Sequence, residues 1–140
     1  MIYSNKVLIA EDKEYLRRLI FLYFRKESLE IDICANCSET LEKILEARKS
    51  GLSYPVIITD LRIPVLDGVE LIKEVNRKVE RGEILRPDIY VMTAYHERED
   101  ELRKIDLVKG FFYKPFSWSE LTNSIRWSLQ TVRQTQRSAD

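Results

Sequence analysis

Three acidic side chains of this 140-residue chain directly follow short apolar segments, and their spacing suggests chemistry. Glu11 and Asp12 follow residues 7–10, and Asp60 follows residues 56–59. For any one of these acids, a solvated loop residue explains the pattern as well as a functional site does. Carboxylates that lie close together repel one another and raise one another's pKa. Mg²⁺ binds such groups together with water and phosphate oxygens, so the three acids together predict a magnesium site if the two segments are neighbouring strands.

A hydroxyl group and an ammonium group end two further apolar segments. Thr93 follows residues 89–92, and Lys114 follows residues 111–113. A carboxylate, Mg²⁺, a hydroxyl and a lysine suit phosphoryl transfer, because its catalysis consists mostly of positioning and of neutralising charge on the transferred group. Asp60 can itself be the nucleophile and carry an acyl phosphate.

The elements that must position these groups alternate between strands and helices. Short apolar runs predict strands, and apolar residues at helical spacing predict helices. The predicted strands cover residues 7–10, 31–35, 56–59, 89–92 and 111–113. The predicted helices cover residues 13–28, a segment around 41–48, and residues 69–81, 99–108 and 118–134.

This alternation predicts an α/β fold, with helices on both faces of a parallel sheet. The common doubly wound order of five strands is 2-1-3-4-5, which makes the first and third strands neighbours. Ligands of such sheets bind beyond the carboxyl ends of the strands, near the point where the strand order reverses. The three acids follow the two strands that meet at this point.

Length and charge exclude several classes of protein. We expect a single domain over residues 1–140, with a core at about 5–132 and a frayed polar tail at 134–140. The 23 basic and 23 acidic residues cancel, whereas proteins that bind nucleic acid are usually basic, so we expect no nucleic-acid partner. The longest apolar run, residues 19–24, is far shorter than the roughly 18 residues that span a bilayer. Without a leader segment, the chain is predicted to be cytoplasmic, with no membrane partner.

Four sequence motifs resemble those of a known family. They are VLIAED at 7–12, IITDLRIPVLDG at 57–68, VMTA at 91–94 and YKPF at 113–116. In order and spacing they are similar to the receiver domain of two-component response regulators. The resemblance implies a flavodoxin-like fold and a phosphoacceptor that takes its phosphoryl group from a histidine kinase or a phosphotransfer protein. Because no output domain follows in the sequence, we expect a stand-alone receiver similar to the chemotaxis regulators.

The resemblance also implies the ligands of the metal. Asp60 would accept the phosphoryl group and bind Mg²⁺, together with Asp12 and the backbone carbonyl of Arg62. Glu11 would hold the ion through water. The residue at this last position is Glu where the family more often has Asp, which alters its reach and little else.

Other positions correspond to the switch of the family and to the control of phosphoryl lifetime. Thr93 would bond a phosphoryl oxygen and move on activation, and Lys114 would pair with another phosphoryl oxygen. The peptide bond between Lys114 and Pro115 is expected to be cis. Phe111 stands where the family keeps its switch aromatic. Arg62 and Tyr95 occupy variable positions that tune phosphoryl lifetime, and their bulk predicts a long-lived phosphoryl group.

Other interpretations of the sequence fit these residues less well. A flavin-binding electron carrier of the same fold would need a neutral phosphate loop where residues 11–14 are charged, and haloacid-type phosphatases have an Asp where Arg62 stands. Cys34 and Cys37 are formally a C-x-x-C pair, but with no further ligands we interpret them as structural, and we expect His96 to be simply exposed. The alternative that stays open is a degenerate receiver that acts as a phosphorylation-independent scaffold.

Two apolar surfaces are predicted from helical spacing. With Leu16, Leu19, Ile20, Tyr23 and Phe24 towards the sheet, Phe21 and Leu22 point outward. The resemblance implies that a kinase docks on this first helix.

Trp127 falls opposite the apolar stripe of the last helix, and exposed Trp is favoured at interfaces. We expect a downstream protein, or a second copy of the chain, to bind the face formed by the fourth helix, the fifth strand and the fifth helix.

Overall fold

The structure, a computed structural model, describes residues 1–62, 67–96 and 98–139, with side chains described as far as residue 134. Of the turn predicted at residues 64–68, only 67 and 68 lie within these ranges, and residues 63 and 97 also lie outside them. The elements, in chain order, are β1 (Ile2–Tyr3), β2 (Lys6–Ala10), α1 (Glu14–Lys26), β3 (Glu30–Cys34), α2 (Cys37–Lys49), β4 (Leu52–Ser53), β5 (Val56–Thr59), α3 (Gly68–Glu80), β6 (Asp88–Thr93), α4 (Glu99–Arg103), β7 (Val108–Tyr113) and α5 (Trp118–Ala139).

Five parallel strands form the main sheet in the order β3-β2-β5-β6-β7. Numbered among themselves in chain order, these strands have the predicted order 2-1-3-4-5, and the flavodoxin-like α/β fold is confirmed. β2 lies between β3 and β5, so the strand order reverses at β2. The carboxyl ends of β2 and β5 are therefore adjacent at the edge where ligands are expected.

The two faces of the sheet are covered by two apolar layers. Successive strand side chains point to opposite faces, so Leu8 and Ile57 pack on the side of α2 and α3, whereas Ile9 and Ile58 pack on the side of α1 and α5. Every residue of β5 and β6 is buried. This burial explains why the two strands appear in the sequence as continuous apolar runs.

Two predicted boundaries differ in the structure. α4 ends at Arg103 rather than at residue 108, and β7 begins at Val108 rather than at 111. Val108 pairs with Ile89 of β6, and the buried Leu107 precedes it. Pairing with the sheet thus competes with continuation of the helix. The last helix continues to Ala139, through the residues for which a frayed tail was expected.

Two further differences concern the start of the chain. β1 and β4 form a small parallel pair that the sequence did not predict, because two-residue strands have no periodicity. Leu19, predicted to face the sheet, is 51% exposed, while Leu16, Ile20 and Phe24 are buried. At about 100° per residue, Leu19 lies far from the centre of this narrow stripe.

No helix in the described ranges is long and apolar enough to cross a membrane.

Candidate functional site

The three predicted acids meet at the carboxyl ends of β2 and β5. Ala10 lies opposite Thr59 in the register of these strands, and the backbone N–H of Asp60 donates to the carbonyl of Ala10 at 3.1 Å. The residues that follow each strand are therefore neighbours. Carboxylate oxygens of Glu11, Asp12 and Asp60 all lie within 4.8 Å of one another. An all-oxygen cluster of this size matches the donors that Mg²⁺ prefers.

Burial raises the pKa of one acid of this cluster, Glu11. Glu11 is fully buried and Asp60 is 6% exposed. The pKa of Glu11 is raised to about 7, chiefly because the side chain is buried, with Lys114 lowering it and Asp60 raising it. A bound cation would favour the charged form of this carboxyl group, so the cluster is suited to a cation.

Lys114 brings a positive charge to the acids from the end of β7. Its Nζ lies 2.6 Å from Oδ2 of Asp60 and 3.2 Å from Oε2 of Glu11. Burial lowers the pKa of Lys114, but its hydrogen bond to Asp60 and the charges of both acids outweigh burial and raise the pKa above its ordinary value. The group is therefore an ammonium ion. The peptide bond from Lys114 to Pro115 is cis, as predicted.

Thr93 lies at the end of β6, on the same edge of the sheet, and is fully buried. Its Oγ1 accepts a hydrogen bond from the backbone N–H of Tyr95 at 3.2 Å. Its carbonyl accepts from the backbone N–H of Lys114 at 2.8 Å. The loops that follow β6 and β7 are thus tied together at Thr93.

The two residues predicted to control phosphoryl lifetime touch each other. The guanidinium carbon of Arg62 lies 3.5 Å from the centre of the Tyr95 ring. The backbone N–H of Arg62 also donates to Oδ1 of Asp60 at 3.1 Å. Arg62 and Tyr95 therefore form a stacked pair beside Asp60.

Phe111, the predicted switch aromatic, is half-buried in a cluster that joins α4 to β7. The guanidinium of Arg103 lies 4.6 Å from the centre of its ring, and the ring of Tyr113 stacks at 6.3 Å. Tyr113 donates to Glu99, which also accepts from Arg103. His96 is exposed, as expected, and its ring stacks on Tyr113 at 3.8 Å. Any movement of Phe111 must therefore disturb its contacts with α4.

One residue at the site was not predicted from the sequence. Nη1 of Arg17, in the first turns of α1, donates to the carbonyls of Glu11 and Asp12 at 3.0 Å and 2.7 Å. The sequence shows only a basic residue, Arg17, one turn into the helix that follows the acids. That spacing does not reveal where the long side chain reaches.

Both predicted apolar surfaces are exposed. On α1, Phe21 is 48% and Leu22 is 60% exposed, and they border a groove of about 480 Å³ together with Ile33 of β3. On α5, Trp127 is 57% exposed and borders a groove of about 490 Å³ that Phe111 also lines.

Burial of the cysteine pair favours a structural role over a redox role. Cys34 and Cys37 are both buried and not joined by a disulfide. The pKa of Cys37 is raised to about 12 because the thiol is buried, with a smaller contribution from the charge of Asp67. A raised pKa makes a thiol inert, since the thiolate is the reactive form.

Comparison with known proteins agrees with this geometry. The family model of the response regulator receiver domain matches residues 7–126. The chain is 28% identical over 133 residues to the transcriptional regulatory protein ResD of Bacillus subtilis, covering 94% of this chain and 51% of ResD. The chain thus spans about half the length of the curated relatives it matches.

Solved structures share the fold. A response regulator receiver domain protein from Clostridium thermocellum superposes with a TM-score of 0.78 at 19% identity, covering 94% of this chain and 99% of that one. The response regulator TrrA from Thermotoga maritima, solved in complex with Mg²⁺-BeF, has a TM-score of 0.73 at 23% identity over 89% and 99% of the two chains. Because the family match covers all but the first residue of the five-stranded sheet and every motif at its edge, the chain belongs to the response regulator receiver domains, the signalling modules of two-component systems.

Proposed function

We propose that this protein is the phosphoacceptor of a two-component phosphorelay and that Asp60 receives the phosphoryl group. The observation that carries the proposal is the 2.6 Å contact between Nζ of Lys114 and Oδ2 of Asp60 within the acidic cluster. A carboxylate held between a lysine and a cation site is positioned as a nucleophile for phosphorus. The donor would be the phosphohistidine of a kinase or of a phosphotransfer protein.

In the proposed metal site, Asp12, Asp60 and the backbone carbonyl of Arg62 bind Mg²⁺ directly, and Glu11 holds it through water. When bound, the ion neutralises charge on the transferred group and on the acids. The TrrA complex with Mg²⁺-BeF supports the proposal, because that protein has the same fold.

The chain's own residues then position and stabilise the reacting groups. An oxygen of Asp60 forms a bond to phosphorus while the bond from phosphorus to the donor's imidazole nitrogen breaks, and the electron pair leaves with that nitrogen. Lys114 pairs with one phosphoryl oxygen. Thr93 donates its hydroxyl proton to another, since its Oγ1 already accepts from Tyr95. The protein would thus catalyse its own phosphorylation and, by admitting water, its own dephosphorylation.

Phosphorylation by a small donor tests this proposal. We expect acetyl phosphate with Mg²⁺ to add one phosphoryl group, seen by intact-mass spectrometry, and we expect Asp60→Asn to prevent it. Asp106→Asn is the matched control, because Asp106 is an exposed acid outside the helices and strands. An unchanged yield in Asp60→Asn, or in excess chelator, would contradict the proposal, whereas a parent protein that takes up no phosphoryl group would favour the scaffold alternative.

Two surfaces are proposed for the partners. The face of α1 that contains Phe21 and Leu22 would receive the kinase, because both side chains are exposed and line a groove together with Ile33. The face formed by α4, β7 and α5, with Trp127 exposed on α5, would bind a downstream protein or a second copy of the chain. Phe111 lines the groove next to Trp127, so its movement would change this face.

A further inference from the structure

A single guanidinium nitrogen holds the loop that carries two of the three acids. Nη1 of Arg17 donates to the carbonyl of Glu11 at 3.0 Å and to that of Asp12 at 2.7 Å. Hydrogen bonds from a charged donor are stronger than neutral ones. The orientations of these two peptide groups therefore depend on one side chain of α1.

The carboxylate of Glu11 also pairs with Lys114 at 3.2 Å, but backbone tethers of this loop are few in the described part of the chain. The sheet ladder reaches only the backbone N–H of Glu11, which donates to the carbonyl of Cys34 at 3.0 Å. Lys13, the N-cap residue of α1, makes no side-chain capping hydrogen bond. The carbonyls of Glu11 and Asp12 lie beyond the last strand pairing, and they accept from Arg17 instead.

We propose that Arg17 is a positioning residue of the metal site, which holds the loop so that the carboxylates of Glu11 and Asp12 converge on Asp60. This inference rests on the proposed function, because it concerns the same Mg²⁺ site. Mutation of residues that hydrogen-bond to metal ligands and orient them usually lowers metal affinity roughly 10- to 100-fold. Arg17 would act in this way through backbone carbonyls.

The sign of the effect separates positioning from simple electrostatics. If Arg17 acted only through its positive charge, removing it would strengthen the binding of a divalent cation nearby. If Arg17 holds the loop, removing it weakens binding despite the loss of repulsion. The two explanations therefore predict opposite changes in Mg²⁺ affinity.

A calorimetric titration of the folded protein with MgCl₂ alone tests the inference without any phosphoryl donor. We expect Arg17→Met, which retains the apolar stem, to bind Mg²⁺ about tenfold more weakly than the parent. Arg17→Lys retains the charge and a donor, and should recover most of the affinity. Arg18→Met is the matched control, because Arg18 is 76% exposed and pairs with Glu14.

Denaturant unfolding without Mg²⁺ shows whether each variant folds. If Arg17→Met does not fold, Arg17→Gln is used in its place. An affinity of the Arg17 variant equal to or higher than that of the parent would overturn the inference, as would an equal loss in Arg18→Met. Asp12→Asn separates this failure from failure of the proposed function. If the parent binds Mg²⁺ and Asp12→Asn does not, the site stands whatever Arg17 does, whereas a parent that does not bind Mg²⁺ overturns both.

Discussion

The guanidinium of Arg62 stacks on the ring of Tyr95 at 3.5 Å. Each residue lies two positions after a proposed functional group, Asp60 in one case and Thr93 in the other. A cation–π contact at an exposed site contributes roughly 0.5–1 kcal/mol. The two side chains therefore stabilise each other's positions near the proposed phosphoryl acceptor.

The first prediction concerns the lifetime of the phosphoryl group. Hydrolysis requires a water molecule in line with the acyl phosphate, and the stacked pair should obstruct its approach. We expect Arg62→Ala with Tyr95→Ala to raise the dephosphorylation rate severalfold, measured as loss of phosphorylated protein after the donor is removed. Because the residues touch, each single substitution should produce most of the effect.

Tyr15→Ala provides the control, since Tyr15 is an exposed aromatic on α1. A rate in the double variant that equals or falls below that of the parent would contradict the shielding role of the pair.

The second prediction concerns recognition of the kinase. Phe21→Ser with Leu22→Ser should reduce phosphoryl transfer from the cognate kinase by about tenfold or more, because truncation of an interface hot spot costs about 2 kcal/mol or more. Phosphorylation by acetyl phosphate should be unchanged, since neither residue touches the site. Phosphotransfer from the purified kinase is the measurement. The same loss with both donors would indicate misfolding, and transfer that stays at the parent level would place the kinase elsewhere.

The third prediction concerns the output face. With beryllofluoride as the phosphoryl mimic, we expect the protein to associate with a target or with itself, seen by sedimentation and pull-down. Trp127→Ala should weaken this association, because a large exposed ring is lost from the centre of the face. Phe21→Ser is the matched control, because Phe21 is an exposed aromatic residue on α1, outside this face. An unaffected Trp127→Ala protein would place the output face elsewhere.

The fourth prediction concerns the cysteines. Thiolate forms only as the pH approaches the pKa, so a pKa of about 12 for Cys37 leaves roughly one thiol in 10⁴ ionised at pH 8. Burial also raises the pKa of Cys34. We expect iodoacetamide to modify both thiols far more slowly in the folded protein than in urea. Fast alkylation of the folded protein, or a disulfide after mild oxidation, would contradict the structural interpretation.

Periodicity is a local property, and the alternation of strands and helices it reveals leaves few sheet topologies, of which the doubly wound order is the common one, which is why the sequence by itself determined the architecture. Once the apolar runs define parallel strands, Asp12 and Asp60 must lie at one edge, because every carboxyl end of a parallel sheet points the same way. Helical spacing likewise placed Phe21, Leu22 and Trp127 on the outside.

Only the tertiary structure decided how the side chains at that edge contact one another. The reach of Arg17 to two carbonyls, the stack of Arg62 on Tyr95 and the packing of Arg103 on Phe111 each depend on long side chains with many rotamers. The early end of α4 has a related cause, since Val108 pairs with β6. Such contacts join residues distant in the chain, so no local pattern in the sequence encodes them.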